Sequence, residues 1–267
     1  DRTETYGANA WAGMAMDDTR GIAYITTGGP KPNFIGISHL GQNLYANCLV
    51  AIDARTGKHL WHFQEIRHDL WDLDMSAPPN LGTITRDGRR IDIVAACTKI
   101  GNTLLLDRVT GKPLYGMEER EVPASEVPGE HAAKTQPFPL KPGPLSRMSM
   151  SPDDVATVTP EIEAGCRKLL EGVQTGGPFL PPSYNRLRVA FPGNHGGVNW
   201  SGTSYSPALG YVFVNTNELG QLSGLKDHDA AKGRAQPKGV GNRVDPEGPY
   251  EGVDGGGRFS LKGTDAQ

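Results

Sequence analysis

The sequence predicts an all-β fold of the β-propeller class, and two internal repeats together with the glycine and proline content support that prediction. The first repeat joins LVAIDARTGKHLW (49–61) to LLLDRVTGKPLY (104–115), which share D-x-x-T-G-K-x-L followed by Trp or Tyr. The second joins AWAGMAMDDTRGIAYITT (10–27) to NWSGTSYSPALGYVFVNT (199–216). The 267 residues include 35 Gly and 21 Pro, which favours many turns over long helices. Serial hairpins with periodic Gly and aromatic residues are typical of propeller blades.

Each copy of the first repeat predicts a β-hairpin. An apolar run ends at Asp53 in one copy and at Asp107 in the other, and such an Asp side chain can hydrogen-bond within its own turn. Gly57 and Gly111 follow four positions later, where a residue with positive φ closes the turn. A second run carrying an aromatic residue then begins.

The hairpins divide the chain, treated as one partial propeller domain over 1–267, into three blade-like repeats. Residues 9–63 form roughly one blade, residues 71–115 supply the strands of another, and a further blade covers 190–216. At this repeat length the chain corresponds to about four blades, the low end of the propeller range. A propeller removes exposed sheet edges by closing its ring. The sequence therefore predicts either a small closed ring or part of a larger one.

Two segments interrupt the repeat pattern. Residues 116–190 predict an excursion over one face, because VPASEVPGEHAAKTQPFPLKPGPLSR is too Pro-rich for a strand or helix interior. Within this insertion, Ser151 predicts an N-cap, and the apolar spacing from 162 to 170 predicts one or two short helices. Residues 217–267 are Gly-rich and predict an irregular tail without a closing strand.

Composition excludes several classes of function. The 27 basic and 30 acidic residues give a net charge of −3, which leaves no electrostatic footprint for nucleic acid or an anionic membrane surface. Cys48, Cys97 and Cys166 are too few and too scattered for a disulfide framework or a metal site, and predict buried thiols. No run of about 18 apolar residues is present.

The segment RHDLWDLDMSAPPN (67–80) is the first candidate for chemistry, because it gathers Asp69, Asp72 and Asp74 directly after a hairpin. It crosses from one blade toward the next, and such crossings can reach the ring axis where propellers bind ligands. An acid-rich crossing is also typical of a solvated loop. The alternatives stay open on this segment alone.

Three residues elsewhere add to the candidate site. Lys99 stands alone at the head of a strand, and Asn199 and Trp200 lie beside a Gly cluster in PGNHGGVNWSG (192–202). Each also has a structural interpretation: a surface cation, a turn residue and a core aromatic residue.

Six ordered motifs resemble those of the pyrroloquinoline quinone (PQQ)-dependent dehydrogenases of the membrane-bound glucose dehydrogenase type. They are GANAW, LVAIDARTGKHLWHFQ, HDLWD, TKIGNTLLLDRVTGKPL, EEREVPASEVPGE and PGNHGGVNWSG, and they cover about residues 7–216. The resemblance implies an eight-bladed quinoprotein propeller with the quinone on the axis beside a calcium ion. This chain then resembles the middle and later blades, and the rest of the chain or another chain would supply the remaining blades.

The resemblance also implies a role for each of five residues. Asp72 matches the catalytic base, and Lys99 matches the cation that hydrogen-bonds the quinone oxygens. Trp11 matches the aromatic floor under the quinone, and Asn199 with Trp200 matches the pair beside the cofactor. These roles are chemically consistent, because a flat quinone needs a π face and a carboxylate must take the hydroxyl proton as hydride leaves.

The other residues of the crossing are expected to be structural. Trp71 is predicted to pack the crossing, and Asp69 and Asp74 are predicted to hold its loop by local hydrogen bonds.

Two departures from the family pattern affect the metal and the substrate. Loop 28–34, GGPKPNF, has Gly29 and Lys31 where relatives often carry the Asn and Thr of GN-x-TPD. Calcium is implied by the resemblance, but a Lys is a poor neighbour for a divalent cation, so the metal ligands stay unassigned. Arg67 replaces the first His of HHDLWD and is expected to alter the substrate pocket, whereas His68 is either a structural hydrogen bonder or a substrate contact.

Two functions are compatible with these observations. The first is an oxidoreductase that oxidises an alcohol, sugar or polyol hydroxyl and passes electrons to a respiratory quinone or cytochrome in the periplasm, with or without a membrane anchor. The alternative is a non-catalytic quinoprotein-like propeller that serves as a scaffold for protein partners. A scaffold would keep the hairpins but has no reason to keep Lys99 or the HDLWD crossing, so the enzyme is favoured. With part of the ring missing, the axis is open to water and the chain alone is expected to be inactive.

Overall fold

The computed structural model describes residues 6–183, 186–227 and 250–259. Within them the prediction of an all-β fold is confirmed, and helix is confined to a 3₁₀ turn at Pro152–Asp154 and to α1 (Pro160–Leu169). Neither described helix is long and apolar enough to cross a membrane. The strands are β1 (Tyr6–Gly7), β2 (Met14–Asp17), β3 (Ile22–Thr26), β4 (Pro30–Lys31), β5 (Cys48–Asp53), β6 (His59–Gln64), β7 (Asn80–Arg86), β8 (Arg89–Cys97), β9 (Thr103–Asp107), β10 (Met117–Glu121), β11 (Thr135–Pro139), β12 (Arg188–Ala190), β13 (Thr203–Ser206), β14 (Tyr211–Val214), β15 (Gly220–Asp227) and β16 (Tyr250–Phe259).

Two antiparallel sheets share one hydrophobic core. The first has four strands in the order β2-β3-β5-β6, and the second has three in the order β7-β8-β9. Both contribute to one hydrophobic core, so the sheets are held together by apolar burial. Cys48 is buried, as is Cys97, and the prediction of buried thiols holds for both, while Cys166 on α1 is half-buried. The core residues are Ile22, Tyr24, Leu49, Ala51, Trp61, Met75, Val94, Ala96, Leu104 and Leu106.

The two D-x-x-T-G-K turns have the same geometry. In each, Oδ1 of the Asp accepts hydrogen bonds from the backbone N–H and the hydroxyl of the Thr three residues later. The N–H of Gly57 donates to the carbonyl of Asp53 at 2.8 Å, and Gly111 donates to Asp107 at the same distance. The glycines have φ of 72° and 70°. The repeat in the sequence is therefore a repeat of one turn structure.

The prediction of a strand after the second turn is wrong. After the first turn the chain continues as β6, which begins at His59. After the second, only an isolated bridge joins Leu106 to Pro113. Pro113 stands at the position equivalent to His59, and backbone hydrogen bonds flank it, from Asp107 N to Lys112 O and from Leu114 N to Leu105 O. Pairing with β9 does not continue beyond Leu114, and Gly116 follows with φ of 77°.

The aromatic residue that ends the first repeat packs against the turn of the second. A Cβ atom placed on Gly111 would lie 2.6 Å from Trp61 Cδ2. The indole Nε1 of Trp61 donates to the carbonyl of Arg108 at 3.3 Å, and the Tyr24 hydroxyl donates to the same carbonyl at 2.8 Å. The motif therefore carries both parts of an inter-sheet contact, an aromatic residue in one copy and a glycine in the next.

A comparison of Gly111→Ala with Gly57→Ala tests this contact. Both residues have positive φ, so each substitution carries about 1–2 kcal/mol of backbone strain. No atom lies within 4 Å of a Cβ on Gly57, whereas Trp61 occupies that space at Gly111. We expect Gly111→Ala to cost about 1–3 kcal/mol more than Gly57→Ala, measured by urea unfolding. Equal losses of unfolding free energy in the two variants would show that Trp61 does not restrict the space beside Gly111.

The prediction that the Pro-rich stretch 122–147 contains no strand is wrong, because β11 lies within it. β10 and β11 form a two-stranded antiparallel ribbon in which Glu119 pairs with Pro137 and Met117 with Pro139. The two prolines are two residues apart in β11, so their nitrogen atoms face the same edge. Proline is tolerated in an edge strand when its missing N–H faces away from the partner strand.

The prediction of short helices inside this insertion is confirmed. The Ser151 hydroxyl accepts from Asp153 N at 3.3 Å, and the Asp154 carboxylate accepts from Ser151 N at 2.7 Å, which together form a capping box. The α-helix begins after Thr159, whose hydroxyl accepts from Ile162 N.

The second internal repeat also has a structural basis, in β2–β3 and β13–β14. Gly21 and Gly210 close the two hairpins with φ of 67° each. The irregular tail predicted for 217–267 is wrong where the structure describes it, because β15 pairs with both β12 and β16. Pairing with strands distant in sequence, together with burial of Leu222 and Leu225, favours strand structure where local composition does not. Residues 228–249 and 260–267 lie outside the description.

Candidate active site

A cavity of about 470 Å³ opens between the segments before β2 and after β3, the crossing at 67–80, Lys99 and the loop that precedes β13. Its volume falls in the range of roughly 300–1,000 Å³ that small-molecule sites occupy. All five residues that the sequence assigned to the site line this one cavity. The described lining residues are Asn9, Trp11, Gly28, Gly29, Lys31, Asp72, Asp74, Lys99, Asn194, His195, Asn199 and Trp200.

The carboxylate of Asp72 is held in one orientation by its backbone and its neighbours. Asp72 has φ of 60°, in the left-handed region, and is 4% exposed. Such a conformation is unusual for a non-glycine residue and clusters at functional sites, although Asp and Asn adopt it more readily than most. Asn33 Nδ2 donates to Oδ1 at 2.5 Å, and Lys99 Nζ lies 3.3 Å from Oδ2. Lys31 Nζ lies 3.5 Å from Oδ1.

Lys99 is a buried cation, not the surface residue of the alternative interpretation. Its Nζ donates to Asp74 Oδ2 at 2.7 Å and to the Asp72 carbonyl at 2.9 Å. Burial alone lowers the pKa of Lys99, but the charges of Asp72 and Asp74 outweigh it and raise this pKa above its usual value. The carbonyl of Lys99 accepts from Gly197 N at 2.6 Å, and a Cβ on Gly196 would lie 2.5 Å from Lys99 Cα. The glycine cluster lets its loop pass directly against Lys99.

Two tryptophan rings face the cavity from equivalent positions of the second repeat. Trp11 is 43% exposed and Trp200 is 64% exposed, so the interpretation of Trp200 as a core residue is wrong. Gly13 and Gly202 follow the two tryptophans, and a Cβ on either would lie 3.1 Å from Pro78. The repeats therefore flank Pro78 and bring two indole rings to the same site.

Asp74 belongs to the cavity, and the prediction that it holds the loop by local hydrogen bonds is wrong, because its partners are distant in sequence. Its Oδ2 accepts from Lys99, and its Oδ1 accepts a short hydrogen bond from the N–H of Gly29. Burial raises the pKa of Asp74, but the Lys99 ammonium outweighs this and lowers the pKa below its usual value. Nothing in the sequence separates Asp74 from the other acids of the crossing, because its role depends on the approach of Gly29.

Asp69 and Trp71 stabilise the crossing, as the sequence predicts for both. Asp69 Oδ1 accepts from Trp71 N at 2.8 Å, and Oδ2 accepts from Leu73 N at 2.9 Å. The Trp71 ring packs on Phe179 with centroids 5.0 Å apart. Burial raises the pKa of Asp69 to about 7, with a contribution from the neighbouring carboxylates. The crossing is an ordered and buried segment, not a solvated loop.

The two residues before Asp69 do not line this cavity. His68 Nδ1 donates to the carbonyl of Gly41 at 2.8 Å, which favours the structural interpretation of His68. Arg67 binds both carboxylate oxygens of Glu119, at 2.7 Å and 2.8 Å. Arg67 and His68 face a second cavity of about 490 Å³ instead, so neither touches the first cavity, and the expected effect of Arg67 on the substrate pocket stays a prediction.

Sequence reasoning missed several polar residues at the cavity. Asn33 follows Lys31 by two positions in the loop that departs from the family pattern, and its contact with Asp72 joins residues 39 positions apart. The other unassigned residues lie inside motifs that were noticed, GANAW and PGNHGGVNWSG, which is the signal that could have identified them. These are Asn9, Asn194 and His195.

The arrangement fits a flat, anionic or readily reduced ligand. Two aromatic faces can stack on its plane, two ammonium groups can stabilise negative charge on it, and a fixed carboxylate stands ready to accept a proton.

Comparisons with known proteins agree with this chemistry. The family described as "PQQ: Glucose/ethanol/alcohol dehydrogenase, beta-propeller domain" matches residues 1–255. Quinoprotein glucose dehydrogenase A of Acinetobacter calcoaceticus is 34% identical in an alignment of 250 residues that covers 87% of this chain and 30% of that protein. The glycerol dehydrogenase large subunit of Gluconobacter thailandicus is 30% identical in an alignment of 259 residues that covers 96% of this chain and 34% of that protein.

A solved structure shares the fold. The crystal structure of quinohemoprotein alcohol dehydrogenase from Comamonas testosteroni superposes with a TM-score of 0.52 at 25% sequence identity, covering 83% of this chain and 27% of that one. The chain spans about a third of the length of the relatives it matches.

Proposed function

This chain belongs to the PQQ family of glucose, ethanol and alcohol dehydrogenase β-propeller domains, and on that premise we propose that its cavity is the quinone site of an oxidoreductase. The intact protein would oxidise a CH–OH group of an alcohol, sugar or polyol. The observation that carries the proposal is the convergence of Trp11, Asp72, Lys99, Asn199 and Trp200 on one cavity.

The residues present fit PQQ, which is a flat tricyclic quinone with three carboxylates. Trp11 and Trp200 offer exposed indole faces for its rings. Lys99 would hydrogen-bond its oxygen atoms. Asn199 is 8% exposed, and its own side chain is fixed by a hydrogen bond from Nδ2 to the carbonyl of His195 at 2.7 Å. Preorganised polar groups of this kind orient a ligand whose rings are held by stacking.

The residues of the site indicate which steps the cofactor and the protein would each perform. Bound PQQ would supply the two-electron acceptor. Asp72 would take the proton of the substrate hydroxyl as the hydride leaves the carbon, which is general base catalysis. Asn33 donates to one carboxylate oxygen of Asp72 and Lys99 to the other, and these two contacts would limit the directions from which a hydroxyl can approach.

Exclusion of water from the quinone site would require further chain to cover the cavity. The exposed faces of Trp11 and Trp200 leave the cavity open on one side. In the proposal, remaining blades from the rest of the chain or from another chain close the ring over this opening. Closure would strengthen the electrostatic interactions at Asp72 and Lys99 by removing water.

The electron acceptor and compartment are part of the same proposal. A respiratory quinone or a cytochrome would receive the electrons, and the protein would act in the periplasm, with or without a membrane anchor. The support for this extension is the resemblance to membrane-bound glucose dehydrogenases.

Quinone binding tests the proposal directly. We expect apo-protein titrated with PQQ to show quenched tryptophan fluorescence, and Trp11→Ala to weaken binding about tenfold or more through loss of stacking. Tyr45→Ala is the matched control, because Tyr45 is 46% exposed, close to the 43% of Trp11, and does not line the cavity. Absence of any PQQ binding by the wild-type protein would favour the scaffold alternative. Unchanged affinity in Trp11→Ala would remove Trp11 from the site.

A further inference from the structure

Lys31 brings a second ammonium group to the cavity. Its backbone is fixed by a short ladder in which Lys31 pairs with Tyr6 and Pro30 with Gly7. A Cβ on Gly7 would lie 2.3 Å from the carbonyl oxygen of Gly29, so glycine at position 7 permits this close approach. The Lys31 side chain is about one third exposed and reaches from this ladder to Asp72.

Nitrogen donors already occupy every carboxylate oxygen of Asp72 and Asp74. These two acids are the carboxylates among the described lining residues, and Lys31 and Lys99 are the ammonium groups, so the four charges cancel. The donors are Asn33 and Lys31 to Oδ1 of Asp72, Lys99 to Oδ2 of both acids, and the Gly29 N–H to Oδ1 of Asp74.

The calcium ion that the family resemblance implies does not fit this set. Calcium takes about six to eight oxygen ligands and favours sites rich in carboxylate charge. Within the described residues no group of three or more His, Cys, Asp or Glu side chains is arranged to hold a metal. The Oδ1 atom of Asn33 has no hydrogen-bond partner among them, but it supplies one neutral oxygen. A divalent cation would have to displace an ammonium group from a site that has no net negative charge.

We propose that Lys31 takes the place of a divalent cation beside Asp72, so that quinone binding by this protein does not depend on calcium. This inference rests on the proposed quinone site and deepens it. The Lys31 ammonium, 3.5 Å from Asp72 Oδ1, puts positive charge where a metal ion would otherwise stabilise the carboxylate and the reduced cofactor. Its charge also contributes to the lowered pKa of Asp74, after the larger effects of Lys99 and the Gly29 hydrogen bond.

The test measures PQQ affinity in the intact gene product, in EDTA and again in excess calcium. We expect the wild-type dissociation constants in the two conditions to agree within about threefold, and Lys31→Thr to bind about tenfold more weakly than wild type in EDTA. Lys31→Arg keeps the positive charge and is expected to stay insensitive to EDTA. Lys58→Thr is the matched control, because Lys58 lies in an exposed turn away from the cavity. Thermal unfolding of each variant separates loss of binding from loss of fold.

The outcomes separate the two proposals. Binding that wild type loses in EDTA and regains with calcium would overturn the lysine assignment while leaving the quinone site intact. Equal affinities of Lys31→Thr and wild type in EDTA would also overturn it. Absence of PQQ binding in both conditions would remove the proposed function, and this inference with it.

Discussion

Asp72→Asn is expected to lower turnover by about 10²–10⁴-fold in a protein that still folds and binds PQQ. The amide accepts hydrogen bonds on one side only, so the variant also loses one of the contacts that Asp72 receives from Asn33 and Lys99. Asn has nearly the same shape as Asp and adopts positive φ readily, so the 60° conformation at this position is retained. The amide cannot accept the hydroxyl proton. The measurement is steady-state turnover with an artificial electron acceptor, beside PQQ titration and thermal unfolding.

Asp87→Asn is the matched control for this substitution. Asp87 also has positive φ, at 50°, and lies in the exposed turn between β7 and β8, away from the cavity. It carries the same backbone strain and the same change of charge, so any effect of Asp72→Asn that it does not share belongs to the site. Undiminished turnover in Asp72→Asn would remove Asp72 as the base. A loss shared by both variants would point to stability and not to chemistry.

Local patterns in the sequence predicted the turns well. Asp53 and Asp107 each bond their own turn, and Gly57 and Gly111 take the positive φ that the pattern requires. These features depend on residues at most four positions apart, so a single sequence contains them in full. What followed the second turn was not predicted correctly, because pairing with β9 stops near Leu114 although the turn itself is the same.

Contacts between distant segments were the part that local patterns could not supply. β11 contains two prolines and still forms a strand, because the nitrogen atoms of both prolines face away from β10. β15 is a strand because two other strands pair with it. Asp74 joins the site because Gly29 approaches it from a loop 45 positions away. None of these three contacts can be read from the amino-acid composition of a short stretch of sequence.

Family motifs identified the residues that the local patterns could not connect. The segments that carry Trp11, Asp72, Lys99 and Asn199 are far apart in the chain, and only the ordered resemblance placed them together. Lys31 was noticed only as a departure from the family pattern. Because the Lys31 ammonium lies 3.5 Å from Asp72 Oδ1, this departure adds a positive charge to the site.

The buried ion cluster at Lys99 gives the second large prediction. Lys99→Met is expected to lower the free energy of unfolding by about 3–5 kcal/mol, because removing one partner of a buried ion pair leaves uncompensated charge. Lys99 is 4% exposed and forms ion pairs with both Asp72 and Asp74. Urea unfolding measures the loss. PQQ affinity should fall as well, because the cation proposed to hydrogen-bond the quinone oxygens is gone.

The double variant Lys99→Met with Asp74→Asn separates these two effects. Lys31 still faces Asp72 after Lys99 is removed, so the main uncompensated charge is that of Asp74. Neutralising Asp74 should therefore recover much of the lost stability, as a non-additive term in a double-mutant cycle. PQQ affinity should not recover, because neither substitution restores the ammonium group. If Lys99→Met costs less than about 1 kcal/mol, water reaches the cluster and the carboxylates do not need Lys99. If affinity recovers together with stability, the role of Lys99 is to support the fold and not to bind the quinone.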